Sequence, residues 1–312
     1  MQAKIRGAIY GLLVGDAVGV PYEFNTSAQL PSYADIEMTP PSDFNRTYAD
    51  IPIGTWSDDG AQALCLLASL LYAQDFDATD FAQRLLDWYQ VGYMAVDAKV
   101  FDVGIQTRQA LLRFSHGTAI TEMAATDEYA NGNGALMRCL PLALWHVGSD
   151  EQLVELAGQQ SHLTHAHLRS KICCAFYCLW ARYLLQGLSV NAAWSASQLR
   201  LNVIYHDRPA ALNEMQNFIF PATANAIAGS GYVVDCLHSA KFALQQSNYT
   251  DVIKTAIALG NDTDTTACVA GGLAGIIFGV SGIPEHWLLQ LRAKKMVEPL
   301  LEALMLHLAV SN

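Results

Sequence analysis

Apolar residues recur with the 3.6-residue period of a helix along most of the chain, and this limits the fold to helices packed on helices. The period runs through residues 5–18, 60–73, 78–91, 103–114, 136–147, 167–185, 233–245, 250–259, 265–278 and 293–308. Alternating strands are scarce; the one β-branched run, Tyr232–Val234, leads straight into a helical pattern. No unit of about 20–50 residues repeats, which argues against a solenoid. No linker divides the chain, so residues 1–312 are read as one all-α domain, a large orthogonal or layered multi-helix bundle. Two stretches look irregular. Residues 25–53 carry Pro31, Pro40, Pro41 and Pro52, and residues 202–231 are similarly interrupted. Long loops within a compact domain often shape binding sites, though either stretch can equally be a surface excursion.

With 52% hydrophobic and 15% charged residues, the chain has the composition of a packed globular protein. A net charge of -11 argues against general binding to nucleic acid backbones or anionic membranes, which takes clustered Lys and Arg. Asp16 interrupts the signal-peptide-like start, so residues 5–18 read as a first helix. The apolar stretch 267–283 reads as a tightly packed core helix, not a membrane span. Seven cysteines sit mostly in apolar surroundings without zinc-ligand spacing, as reduced core residues do. A cytoplasmic location and a monomeric state are the expectations.

Two segments offer cation chemistry. Gly54-Thr55-Trp56-Ser57-Asp58-Asp59-Gly60 opens a helix with two adjacent aspartates beside a hydroxyl, a set of hard oxygen donors of the kind Mg²⁺, Mn²⁺ and Ca²⁺ take. The plainer reading is a cap at Ser57 with two acids on the helix dipole. Gly260-Asn261-Asp262-Thr263-Asp264-Thr265-Thr266 opens a second helix in the same way. If the two starts meet, four carboxylates share one place, and two cations about 3.5–4 Å apart would relieve their repulsion. Neither loop continues as an EF-hand. Asn131-Gly132-Asn133-Gly134 precedes a helix, so its backbone N–H groups suit a pyrophosphate; a tight turn explains it as well. Gly231-Tyr232 pairs another glycine turn with a ring that can stack, His165 lies before a long helix, and Asp102 reads by itself as a helix cap.

Taken in order, GAIYGLLVGDAVGVPYEF, GTWSDDGAQAL, FDVGIQTRQAL, NGNGALMRCLPLAL, LTHAH, GSGYVVDCLHSAKFAL and GNDTDTTACVAGGLAGIIFG resemble the ADP-ribosylglycohydrolase family. That family includes dinitrogenase reductase-activating glycohydrolase and the ADP-ribosylarginine hydrolases. The resemblance implies an all-α fold with a binuclear Mg²⁺ or Mn²⁺ centre in a cleft. Carried over by position, the metal ligands are Ser57, Asp58, Asp59, Asp262, Asp264 and Thr265, with Ser57 where Thr is common. Glu23 matches a glutamate near the metals, and Asp102 an aspartate proposed for acid–base work. Asn131, Gly132, Asn133, Gly134, Gly231 and Tyr232 match segments around the ADP moiety, and His165 a histidine beside the distal ribose. The implied activity is metal-dependent hydrolysis of the N-glycosidic bond between ADP-ribose and a modified target, with ADP-ribosylarginine on protein favoured by the FDVG segment; serine, a nucleic acid end and a small ADP-ribosyl compound are the other targets. The alternatives are a non-catalytic, crystallin-like or ADP-ribose-binding member of the same fold, and a two-metal phosphoester hydrolase.

Overall fold

Side-chain caps and left-handed stops punctuate the chain into fourteen α-helices among the described residues, 1–222 and 227–311, of the computed structural model. They are α1 (Gln2–Gly19), α2 (Asp58–Ala73), α3 (Ala78–Val91), α4 (Ile105–Ser115), α5 (Leu140–Trp145), α6 (Asp150–His162) and α7 (Leu168–Leu185). Then follow α8 (Val190–Ile204), α9 (Pro209–Glu214), α10 (Val233–Ala243), α11 (Tyr249–Ala258), α12 (Thr263–Phe278), α13 (Glu285–Gln290) and α14 (Lys294–Ser311). Asp77 starts α3 by accepting from the backbone of Thr79 and Asp80, and Asn248 starts α11 by accepting from Asp251. Among the described residues β-pairing is confined to isolated bridges, so the fold is an all-α multi-helix bundle.

The centre of the bundle is the contact of α1 with α12. Gly7, Gly11, Gly15 and Gly19 recur every fourth residue on α1, and they meet Gly275, Gly271, Ala267 and Asp264 of α12. A methyl group on Gly15 would lie 2.7 Å from the carbonyl carbon of Ala267, so backbone packs on backbone here. Such an approach exposes carbonyl oxygens that hydroxyls can reach. The Tyr249 hydroxyl donates to Gly11 O at 2.6 Å, Tyr177 to Val269 O at 2.9 Å, and Thr263 to Gly19 O at 2.9 Å. These bonds satisfy backbone groups and fix how the C-terminal end of α1 faces the N-terminal end of α12.

Several expectations need correction. Residues 136–147 are not one helix: α5 begins at Leu140, with Pro141 in its first turn, and turns occupy the residues before it. Residues 202–231 are not a plain loop; they hold the end of α8, all of α9 and a π-helical turn at Met215–Ile219. Residues 223–226 of that stretch lie outside the described residues. Asp102 does not cap a helix, because Gly104 is the N-cap of α4 and Asp102 stands ahead of it with φ of 53°. The stretch around α12 is a core helix, and no helix among the described residues is long and apolar enough to cross a membrane. All seven cysteines are free and buried.

Candidate metal centre and its cleft

Asp16, the one charged residue in the buried part of α1, builds the first half of the site. Its Oδ1 accepts from Ser57 N–H and its Oδ2 from Gly60 N–H, both at 2.8 Å. A neighbouring helix thus supplies the carboxylate that holds the start of α2. Ser57 adds the expected cap, its Oγ accepting from Asp59 N–H at 3.3 Å. Gly60 is required because a Cβ would lie 2.7 Å from Leu13 Cδ2 and 3.0 Å from Asp16 Oδ2. Asp58 and Asp59 are therefore fixed by α1, and the glycine contact of α1 with α12 brings Asp262, Asp264 and Thr265 against them.

The two helix starts do meet. Thr265 Oγ1 donates to Asp59 Oδ1 at 3.4 Å. Glu23, Asp262 and Asp264 each offer a carboxylate oxygen, all within 4.8 Å of one another. Glu23 Oε2, Asp59 Oδ2 and Asp264 Oδ2 are buried without a hydrogen-bond partner. Buried oxygens are left unpaired at a cost of about 1–3 kcal/mol each unless something else binds them. The remaining bonds orient the set: Asn133 Nδ2 donates to Asp262 Oδ2 and Gln62 Nε2 to Asp58 Oδ2, both at 2.8 Å, while Asp264 Oδ1 accepts from Thr265 N–H at 2.8 Å.

Burial drives the protonation of this cluster. It pushes Asp16 up to about 7 against the bonds from Ser57 and Gly60. Glu23 is pushed up to about 11 by burial and then by the charges of Asp102 and Asp262. Burial and neighbouring carboxylates raise Asp58, Asp59 and Asp264 well above the usual carboxylate range, and burial raises Asp262. Cations would remove that penalty by replacing protons with charge. The donors are oxygens throughout, with neither thiolate nor imidazole in the acidic cluster, so the set fits hard divalent cations such as Mg²⁺ or Mn²⁺.

The cluster forms part of the wall of a cavity of about 900 Å³. Of the residues singled out from the sequence, Glu23, Asp58, Asp59, Asp102, Asn131, Gly132, Asn133, Gly134, His165, Gly231, Tyr232, Asp262 and Thr265 line it. Ser57 and Asp264 stand behind this wall; both are buried, and Asp264 belongs to the trio with Glu23 and Asp262. The glycine turn corrects an expectation. Gly132 N–H donates to Gln106 Oε1 at 2.9 Å and Asn133 N–H to Gly231 O at 3.0 Å, so neither is free for a phosphate. Its glycines answer to their neighbours instead, since a Cβ on Gly132 would lie 2.6 Å from Gln106 Oε1 and one on Gly134 2.9 Å from His165 Cε1. His165 is buried, its Nδ1 lies 2.8 Å from Thr164 Oγ1, and burial followed by the charge of Arg138 lowers it to about 3, which keeps the ring neutral. The Tyr232 hydroxyl accepts from Arg169 Nη1 at 2.9 Å, and Arg169 Nε is paired with Glu214 at 2.7 Å. Asp102 Oδ1 accepts from the Tyr48 hydroxyl at 2.7 Å.

Asp16, Tyr48, Gln62, Gln106 and Arg138 escaped the sequence reading. Asp16 carried a usable signal, a lone acid in a helix that is otherwise apolar and glycine-rich; the others gain their meaning from partners distant in sequence.

Fold and site define a class: helical proteins whose oxygen-donor cleft lies where two aspartate-bearing helix starts meet. The chain belongs to the ADP-ribosylglycohydrolase family, whose model matches residues 1–311. It is 31% identical over 303 residues to the ADP-ribosylarginine hydrolase Tri1 of Serratia proteamaculans, covering 96% of this chain and 78% of that protein. It is 29% identical to the ADP-ribosyl-[dinitrogen reductase] glycohydrolase of Rhodospirillum rubrum, covering 93% of this chain and 91% of that one. A solved structure, described as an ADP-ribosylglycohydrolase-related protein complex, superposes with a TM-score of 0.73 at 30% identity and covers 97% of each chain.

Proposed function

We propose that this chain, as one domain over residues 1–312, is a cation-dependent hydrolase that cleaves the N-glycosidic bond between ADP-ribose and arginine on a modified protein. The observation that carries this reading is the set of unpartnered, buried carboxylate oxygens of Glu23, Asp59 and Asp264 beside a ligand-sized cavity. Relatives named for ADP-ribosylarginine hydrolysis support the arginine linkage. Ser57, Asp58, Asp59, Asp262, Asp264 and Thr265 would hold two Mg²⁺ or Mn²⁺ ions. When bound, such ions supply positive charge for sugar hydroxyls and lower the pKa of a water.

The residues of the chain do the rest. The cavity wall at Asn131, Gly132, Asn133, Gly134, Gly231 and Tyr232 takes the ADP moiety, and the neutral His165 imidazole stands beside the distal ribose. The bond from C1 to the guanidinium nitrogen breaks with oxocarbenium character and its electron pair leaves with that nitrogen, while a water oxygen bonds to C1 and one of that water's protons passes to the departing nitrogen. Glu23 and Asp102 are the carboxyl groups proposed to orient water and move its proton. Tyr48 holds Asp102 by donating to Oδ1. A protein or small-molecule ADP-ribosyl substrate, a cytoplasmic location and a monomeric state belong to the same reading.

The test is release of free ADP-ribose from an ADP-ribosylarginine substrate, with Mg²⁺, Mn²⁺ or chelator, beside Asp264→Asn. Release that needs a cation and falls by about a hundredfold or more in the variant is the expected result. Phosphate or AMP as the product would move the assignment to phosphoester hydrolysis. Binding of ADP-ribose without release from any linkage would make the chain a non-catalytic member of its fold.

A further inference from the structure

Arg138 is among the largest fully buried side chains in the molecule, and among the described residues its hydrogen bonds reach no carboxylate. Its Nε donates to Gln160 Oε1 at 3.1 Å, its Nη2 to Gln160 O at 2.9 Å, and its Nη1 to Gln62 Oε1 at 2.9 Å. The Phe81 ring lies beneath the guanidinium, 5.3 Å from its centre. A buried guanidinium without a paired carboxylate is expensive, so its placement needs a reason.

Gln62 supplies one. It is fully buried and stands one helical turn beyond Asp58 on the same face of α2. A guanidinium can only donate, so Gln62 must turn its carbonyl oxygen to Arg138. That orientation leaves its NH₂ group facing Asp58, where Nε2 donates to Oδ2 at 2.8 Å. The amide transmits direction: with its oxygen held by a cation, its donor end cannot leave the carboxylate. Asp58 lines the cavity, whereas neither Gln62 nor Arg138 does.

We propose that Arg138 and Gln62 are positioning residues for Asp58, the buried cation locking the glutamine amide that aims this carboxylate at the cations of the cleft. This rests on the cation-binding reading above. By hydrogen bonds Arg138 reaches Asp58 only through Gln62, whereas the charge it exerts on Asp58 directly would be kept by a lysine, and that separates the relay from a merely structural arginine. Gln160 provides the contrast, because it holds Arg138 from the other side and donates to Ala135 O at 3.1 Å without touching the acidic cluster.

The experiment is calorimetric titration of the purified, chelator-treated chain with Mn²⁺, with thermal melts in parallel. Outer-layer partners of a metal ligand are typically worth about 10–100-fold in affinity. Gln62→Met is expected to weaken Mn²⁺ binding by at least about tenfold, and Gln62→Asn, one methylene short of spanning both partners, to do the same should the first variant not fold. Gln160→Met is expected to lower the melting temperature and leave Mn²⁺ affinity within about twofold, since it spares the bond to Asp58. Arg138→Lys is expected to weaken binding in the wild-type background and to add little on Gln62→Met or Gln62→Asn, because coupled residues are non-additive. Unchanged affinity in the Gln62 variants, or an Arg138→Lys effect of equal size in both backgrounds, would overturn the relay while cation binding stands. Failure of the wild-type chain itself to bind Mn²⁺ would instead overturn the cation reading, and the relay with it.

Discussion

A carboxyl group buried beside several others keeps its proton until a cation takes the proton's place. Asp16, raised from 3.8 to about 7, and Glu23, raised from 4.5 to about 11, bind more protons in the folded than in the unfolded chain. Their stabilising contribution is therefore complete below the unfolded values and is lost as pH rises through the folded ones. Chelator-treated protein should melt at falling temperatures between about pH 5 and about pH 8, and saturating Mn²⁺ should flatten that fall, so the gap between the two melting curves widens with pH. A gap that stays constant or narrows would contradict the protonation assigned to the cluster. His165 has the opposite sign: lowered from 6.5 to about 3, it stabilises the fold above 6.5 and gives that up as the pH falls toward 3. A second expectation concerns Tyr48→Phe, which removes one hydroxyl bond to Asp102. Removing a hydrogen bond that orients a group in the proton path raises the barrier by roughly 1–2 kcal/mol, so kcat for ADP-ribose release should drop by about tenfold, with a fall of a few degrees at most in melting temperature. Steady-state kinetics would show it, and unchanged kcat would remove Asp102 from the proton path. At this scale the acids of both Asp clusters were legible because two helix starts far apart in sequence each set two aspartates beside a hydroxyl. Tyr48 was not, since its partner Asp102 is 54 residues away.

Helix against helix, the molecule depends on where side chains are missing. Gly11→Ala on α1 would drive a methyl group into the backbone of Gly271 and Gly275, with the Gly275 Cα only 3.2 Å away. Backbone of that kind cannot yield as a side chain can, and we expect a loss of about 3 kcal/mol in urea denaturation. Gly158→Ala in α6 is the matched control. Its methyl would meet only Lys171 Cβ at 3.9 Å, so helix propensity should win and stability should rise by about 0.5–1 kcal/mol. Equal effects at the two sites would mean that α1 and α12 can separate freely. The long helices were readable from their apolar period, but α6, α8, α9 and α13 were not. α6 is mostly polar and announces itself through the Ser149–Gln152 capping box, a signal of chemistry instead of period. α9 and α13 have six residues each, too few to repeat a 3.6-residue pattern convincingly.

For the whole molecule, the division of labour runs along the chain: residues 57–59 and 262–265 are the proposed cation donors, and the segments between and before them complete the cavity wall. The order of these segments, more than any one motif, made the family legible from sequence. The cavity was not, because its shape depends on contacts such as Gly132 with Gln106 and Asn133 with Gly231 that no local pattern encodes. Cations at a hundredfold excess over their dissociation constant should stabilise the fold by about 2.7 kcal/mol, and a chelator should abolish that gain in a thermal melt. Melting temperatures indifferent to both would speak against a cation-coupled fold. The glycine seam between α1 and α12 also sets a schedule for the newborn chain. Asp16 and Asp58 leave the ribosome early, while Asp262 and Asp264 follow more than two hundred residues later. At about 5–20 residues per second, a nascent chain spends at least ten seconds or so with a half-built acidic site and an unpartnered glycine face on its first helix. Until α12 arrives, in about the last sixth of the sequence, the glycine face of that helix has nothing to close against, and a chain truncated before α12 would be a client for chaperones or proteases.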